Sequence, residues 1–286
     1  MANIESFSEL PLCARDLNGA QALVAEAGWN QNAADWRIFL DLGCAFAVKD
    51  AEGRLAATAA TLPYPSGFGW ISMVLVAGPF RRQGIATRLL ERCMRALQGD
   101  GMVPVLDATP AGREVYKPLG FRDGWAITRW CRTARAADGT GAPSGARPLV
   151  DADWPQVLAL DAQAFGCDRA PLLERLRGRS SQFSCVAEKD GVLRGFLLGR
   201  EGRVATQLGP IVAEDEAAAA ALSGFACARI TGPVLLDALD RHADLARWLE
   251  AQGFARERPY TRMALGRDEL FGDPRRLAAI AGPELG

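Results

Sequence analysis

Between Arg81 and Thr87 the chain reads Arg-Arg-Gln-Gly-Ile-Ala-Thr. This loop joins an apolar strand-like run, Trp70 to Val76, to a helix-periodic one in which Leu89, Leu90, Cys93, Met94 and Leu97 recur. A strand-to-helix loop of that kind suits a phosphate. The N–H groups from about Arg82 to Thr87 can converge on an anion at the positive end of the helix. Gly84 and Ala86 leave the backbone open to a pyrophosphate, and Arg81, Arg82 and Gln83 add charge and polarity. The plainer reading is a helix N-terminus carrying two solvated arginines. Tyr116 stands four residues before Gly120-Phe121, giving Y-x-x-x-G-F after the next strand. It is either a phenol placed to give up a proton or a packed ring whose hydroxyl is merely satisfied. Asp107, at the carboxyl end of the strand Val103 to Asp107, is the candidate general base, directly or through water; the alternative is a loop or helix-capping carboxylate.

Other chemistries are poorly supplied. The seven cysteines form no C-x-x-C pair, and His242 is the single histidine, expected at a solvated helix start. A disulfide framework, a metal site and a Ser-His-Asp or Cys-His unit are therefore not expected. Thirty-three Lys+Arg against 34 Asp+Glu leave a net charge of −1, which argues against nucleic acid or an anionic membrane as partner. No apolar run approaches the roughly 20 residues of a membrane span, and MANIESFSEL lacks the regions of a signal peptide. A cytoplasmic protein is the expectation.

The elements that must position these residues belong to a chain of 286 residues, long enough for two domains. The Ala-, Gly-, Ser- and Pro-rich segment Ala134 to Ala146 reads as the linker between them. Before it the pattern runs α, α, β, β, β, α, β, α, β, and after it the same order recurs. Ala47 to Asp50 (AVKD) matches Ala187 to Asp190 (AEKD), Val105 to Asp107 matches Leu235 to Asp237, and Gly120-Phe121 matches Gly253-Phe254. The expected organisation is a first module at 1–133, a linker at 134–146, a second module at 147–266 and a tail at 267–286. In the tail one short helical segment is expected around Pro274 to Ile280.

The loop followed at this separation by Y-x-x-x-G-F resembles the GNAT superfamily of acyl-CoA-dependent N-acetyltransferases, over roughly Met1 to Thr133. The resemblance implies an α/β fold, each module a mixed, mostly antiparallel β-sheet flanked by helices. It implies that Arg81, Arg82, Gln83, Gly84, Ile85, Ala86 and Thr87 hold the coenzyme A pyrophosphate. The backbone of Val74, Leu75 and Val76 would pair with pantetheine, and Tyr116 would give its proton to the leaving thiolate. The second module departs from the pattern: Glu214-Asp215-Glu216 stands where the loop should be, and Leu249 lies four residues before Gly253. The whole resembles tandem GNAT proteins with one working and one degenerate module.

The implied function is that of an acetyl-CoA-dependent N-acetyltransferase, without metal, in which a small-molecule primary amine attacks the acetyl group directly. The chain would work as a monomer or homodimer. Acceptor walls are sought in Trp29 and Asn30 between the first two helices and in Tyr64 and Trp70 around PYPSGFGW; core or hairpin packing is the alternative for each aromatic. Asp237 is a candidate for amine recognition across a domain interface, or a strand-end carboxylate. Acetyl transfer to a protein lysine or N-terminus, and a noncatalytic acyl-CoA sensor, satisfy the same motifs.

Overall fold

A computed structural model describes residues 8–133, 145–179 and 181–286. Most of the expected linker lies outside the described residues, which resume at Gly145. The chain forms two compact units. One holds the chain up to Val105 together with Gly202–Val204; the other holds Leu106–Glu201 and Ala205–Gly286.

In the first unit β1 (Ser8–Pro11), α1 (Leu17–Glu26), α2 (Ala33–Leu42), β2 (Cys44–Lys49), β3 (Leu55–Tyr64), β4 (Phe68–Val76), α3 (Ile85–Gly99) and the first half of β5 (Val103–Ala108) follow in sequence. The strands lie in the order β1-β2-β3-β4-β5, antiparallel except for the β4/β5 pair. Each helix buries one stripe against this sheet. Leu17, Ala20, Leu23 and Val24 of α1, and Ile85, Leu89, Leu90, Cys93 and Leu97 of α3, recur at three- and four-residue spacing. Helix α2 starts at Asn32, whose side chain accepts from the Ala34 and Asp35 N–H groups while Asp35 accepts in return from the Asn32 N–H. Gly69 in β4 lets α3 pack close, since a Cβ there would fall 2.3 Å from Leu97.

The second unit takes the end of β5 and then, in sheet order, β12 (Ala255–Leu265), β6 (Phe121–Arg132), β11 (Val234–Leu239), β13 (Leu277–Ala279), β10 (Thr206–Ala213), β9 (Val192–Glu201), β8 (Cys185–Lys189) and β7 (Ala146–Pro148). Helices α4 (Pro110–Tyr116), α5 (Trp154–Phe165), α6 (Ala170–Arg177), α7 (Glu216–Cys227) and α8 (Ala243–Ala251) complete it. Its core joins Leu222, Phe225 and Ala226 of α7 and Leu245 and Leu249 of α8 to the sheet residues Leu197, Leu208, Ile211, Val234 and Leu236.

The expected order of elements is present in both halves, preceded in each by a short strand, β1 or β7, that the sequence reading lacks. The compact units divide at Val105 because β6 is held on both sides by strands of the second half. It pairs antiparallel with β12 and with β11. The two closing strands are thus exchanged: β6 lies beside β11, and β12 follows β5. The tail corrects the sequence reading, because Leu277–Ala279 is a strand inside the sheet rather than a helix. Its leucine and two alanines, apolar without helical spacing, are buried from both sides.

Candidate functional site

Strand β4 and the start of α3 carry the features the loop reading requires. Opposite Ala59 of β3, β4 supplies two residues, Met73 and Val74, since Thr58 faces Leu75 and Ala60 faces Ser72. Met73 adopts a left-handed backbone (φ 54°), and the Thr58 hydroxyl donates to its carbonyl at 2.9 Å. This is a β-bulge, a device that re-aims a strand beside a site. On its other side β4 pairs with β5 only from Phe68/Val103 to Trp70/Val105. Ala77 N–H donates to Ala56 on β3. By strand alternation the N–H groups of Val74 and Val76 face the opposite side, where no strand pairs with them among the described residues. The hydroxyl of Ser72, beside the bulge, is buried without a partner, a cost that folded proteins seldom leave standing.

Helix α3 starts at Gly84, which has no side-chain cap, so its first N–H groups stay available. Gly84 is left-handed (φ 77°), and a Cβ there would meet nothing within 4 Å. Arg82, exposed, is also left-handed (φ 60°). Backbone alternating in this way forms a concave nest of N–H donors for an anion. The open cradle, the uncapped 15-residue helix and the unpaired N–H groups of Val74 and Val76 fit coenzyme A's pyrophosphate and pantetheine. The other loop residues divide their work. Arg81 donates from Nε to Val76 O and from Nη2 to Glu26, which also accepts from the Gly78 N–H. Gln83 donates to Pro79 O, Ile85 is buried in the core, and Ala86 and Thr87 are half-buried on the first turn.

In the second module the same helix end is filled from within. Asp215 caps α7 by accepting from Ala218 N–H at 2.8 Å, and Glu214 pairs with Arg194. Glu216 accepts from Asp244 and Leu245 at the start of α8. Asp215 thus takes a donor that an anion at this helix end would need, beside the repulsion of three carboxylates.

Tyr116 ends α4, a helix capped by Thr109, which accepts from Gly112 N–H. Gly112 makes room for the ring, whose atoms would lie 3.0 Å from a Cβ there, and Phe121 packs against it with ring centroids 6.0 Å apart. Burial pushes the Tyr116 phenol up from its ordinary value, so it stays protonated across neutral pH, as an acid must. Its hydroxyl makes no hydrogen bond among the described residues. Arg113 and Lys117 fasten this helix to Asp123 on β6, and the Arg113 hydrogen bonds hold the Asp123 carboxyl down at about 2.

Asp107 has a partner that the sequence reading missed. Arg262 of β12 donates from Nε and Nη2 to its two oxygens, each at 2.9 Å, and both side chains are buried. Burial raises the Asp107 pKa and Arg262 opposes the rise, but with both oxygens engaged the carboxylate cannot take a proton without breaking the pair. The structure thus speaks for an ion-pair role over that of general base. Asp237 repeats the arrangement. It accepts from Arg129 of β6 at 2.8 and 2.9 Å and from Gln207 at 2.9 Å, with no exposed surface. Wholly buried on these partners, it is closed to an acceptor amine, which corrects that expectation. Arg129 and Arg262 stand at the same place in the two copies, each eight residues after Gly-Phe's phenylalanine and each preceded by threonine. The signal was that repeated Thr-Arg inside an apolar strand.

The acceptor residues are also redistributed. Tyr64 and Trp70 are 3% and 2% exposed and pack with Phe68 inside the β3/β4 hairpin, so they are core rather than pocket wall. Asn30 is buried, its carbonyl accepting from Arg203 N–H and its side chain from Val204 N–H at 3.0 Å. Trp29 remains half-exposed, its carbonyl accepting from Arg203 Nε. His242 corrects the expectation of a solvated site: it is buried at the start of α8, and Nε2 donates to Pro274 O at 3.0 Å.

These features define an acetyltransferase fold, and the family comparisons agree. Residues 15–121 match the Acetyltransferase (GNAT) family model and residues 157–277 an Acetyltransferase (GNAT) domain model. The chain is therefore a tandem GNAT protein of the N-acetyltransferase family. Among its relatives is an uncharacterized N-acetyltransferase of Bacillus subtilis strain 168, YitH, 22% identical over 242 residues, which are 84% of this chain and 85% of that protein. A putative acetyltransferase from Pyrococcus horikoshii has the same fold, with a TM-score of 0.82 at 17% identity over 100% of this chain and 98% of that one. A tandem GNAT protein from the clavulanic acid biosynthesis pathway superposes with a TM-score of 0.63 at 14% identity, covering 92% of this chain and 100% of its own. No helix among the described residues is long and apolar enough to cross a membrane.

Proposed function

We propose that this chain is an acetyl-CoA-dependent N-acetyltransferase with one working cofactor site, in the first module, acting on a primary amine of a small molecule. The observation that carries the reading is the uncapped start of α3 at Gly84 beside the unpaired N–H groups of β4. Acetyl-CoA supplies an acetyl group activated as a thioester. The N–H groups of Arg82 to Thr87 bind its pyrophosphate, and those of Val74 and Val76 orient the pantetheine arm. A strand N–H beside the Met73 bulge is the donor for the carbonyl oxygen as charge develops on it. Tyr116 holds the proton that the leaving sulfur takes. With both Asp107 oxygens on Arg262, the acceptor amine loses its proton to water rather than directly to this carboxylate.

Support for a small acceptor comes from the α1/α2 loop. Gly202–Val204 is clasped onto Trp29 and Asn30 by three hydrogen bonds, and a Cβ on Gly202 would fall 2.2 Å from the Asn30 side chain. This covers a loop that an extended polypeptide acceptor would need open.

The test is Gly84→Glu with acetyl-CoA titration. A carboxylate and one phosphate charge roughly 5 Å apart repel by about 3 kcal/mol at an effective dielectric of about 20, more than 100-fold in affinity. Because the Cβ meets open space, the main folding cost is the left-handed backbone, about 1–2 kcal/mol. A folded variant that binds acetyl-CoA as well as the parent would refute the placement of the site.

A further inference from the structure

The second module has a cleft that corresponds to the proposed pantetheine site, and the chain itself lies in it. Strands β10 and β11 pair in parallel from Thr206/Val234 to Leu208/Leu236 and then part, as β4 and β5 do after Trp70/Val105. Strand β10 also has a bulge beyond that point, Gly209 and Pro210 facing the single residue Leu198 of β9. Into the gap runs β13. Ile211 and Val212 pair with Ala279 and Leu277, Ala238 of β11 pairs with Ala279, and Ile280 N–H donates to Asp237 O.

The register is the informative part. Val76 and Ala213 are the last residues of their strands, and the next N–H in each, Ala77 or Glu214, donates back to the preceding hairpin strand. Counting back from there, Ile211, Val212 and Ala213 correspond to Val74, Leu75 and Val76. The Ala213 N–H, counterpart of Val76's, donates to Arg276 O at 2.9 Å. Gly209 marks how close the segment comes, since a Cβ there would lie 2.0 Å from Ile280 O. Leu277, Ala279, Ile280, Ala281 and Leu285 have no exposed surface. The segment is anchored further by Arg200, which donates to Ala281 O and pairs with Glu284.

We infer that the β10/β11 cleft of the second module is a binding site for an extended apolar peptide strand, filled in cis by residues 276–285 at the position where the first module takes pantetheine. The description of the cleft as a cofactor counterpart rests on the function proposed above. Two independent changes then exclude coenzyme A from this module. Its carboxylates occupy the helix start, and its own backbone takes up the strand edge that pantetheine would use.

Hydrogen exchange on the full chain, read in peptides covering 72–77 and 209–214 with and without acetyl-CoA, tests both assignments separately. Without cofactor, 209–214 should exchange at least about 10-fold more slowly than 72–77, reflecting paired and unpaired strand edges. Adding acetyl-CoA should slow 72–77 and leave 209–214 unchanged. Exchange of 209–214 as fast as 72–77, or slowed by acetyl-CoA, would overturn the inference. Failure of 72–77 to respond would instead remove the first-module reading, with the filled cleft still judged on 209–214. A second arm uses Ala279→Pro, which removes an N–H from β13. It should speed exchange of 209–214 by about 10-fold or more and leave acetyl-CoA affinity within about twofold; unchanged exchange at 209–214 would count against the inference.

Discussion

Asp107→Asn separates an ion-pair role from a catalytic one. In the parent, Arg262 gives two hydrogen bonds of 2.9 Å to Asp107, and the two side chains are 2% and 0% exposed. The amide leaves the guanidinium charged and buried opposite a neutral group. Removing one partner of a buried pair costs about 3–5 kcal/mol, a large part of the roughly 5–15 kcal/mol that holds a domain together. At about 2–4 °C per kcal/mol for a chain of this size, the thermal midpoint should fall by about 10 °C. Asp107→Leu combined with Arg262→Met should recover most of the loss, because two apolar groups leave no buried charge. Thermal unfolding followed by circular dichroism, alongside acetyl transfer measured below the melting range, gives both readouts. A midpoint within about 2 °C of the parent with turnover abolished would refute the ion-pair role and restore Asp107 as the base.

Tyr116→Phe should lower turnover about 100-fold while acetyl-CoA affinity and thermal midpoint stay unchanged, since the hydroxyl holds no hydrogen bond among the described residues; equal turnover in steady-state assays would remove it as the acid. Because burial raises its pKa above the ordinary 10, the proton is present throughout neutral and mildly alkaline pH, and a pH–rate profile should show no loss assignable to this group below about pH 10. Glu214, Asp215 and Glu216 changed together to Ala should cost about 1–2 kcal/mol through two lost helix caps, read by urea unfolding, without adding a second acetyl-CoA site. Asp123, held at about 2 by Arg113 and Lys117, binds fewer protons folded than unfolded. Its tie to the Tyr116 helix is therefore present above about pH 4 and lost as pH falls toward about 2. Being partly exposed, it should contribute under about 1 kcal/mol, measured as the difference in acid unfolding between the parent and Asp123→Asn.

The alternation of elements was legible because both modules spell it with ordinary signals: helical spacing in α3, a turn between β2 and β3, and the recurrent Gly-Phe after α4 and α8. The start of α3 was legible for the same reason, since Gly84 lies where an amphipathic helix begins. What the sequence hid is whatever depends on distant pairing. Nothing local tells Asp107 that Arg262, 155 residues away, will reach both its oxygens. Tyr64 and Trp70 look like a binding surface until β3 and β4 fold over them. The Met73 bulge has no glycine to announce it. The tail misled because Leu-Ala-Ala-Ile-Ala has helical propensity, and only the opening between β10 and β11 makes it a strand.

The proposed function requires that one module bind acetyl-CoA and the other not. Calorimetric titration of the full chain with acetyl-CoA measures it directly. One site per chain is expected, abolished by Gly84→Glu. Two sites would contradict the closed second module, and none would contradict the reading of the open α3 start on which the proposed enzyme depends.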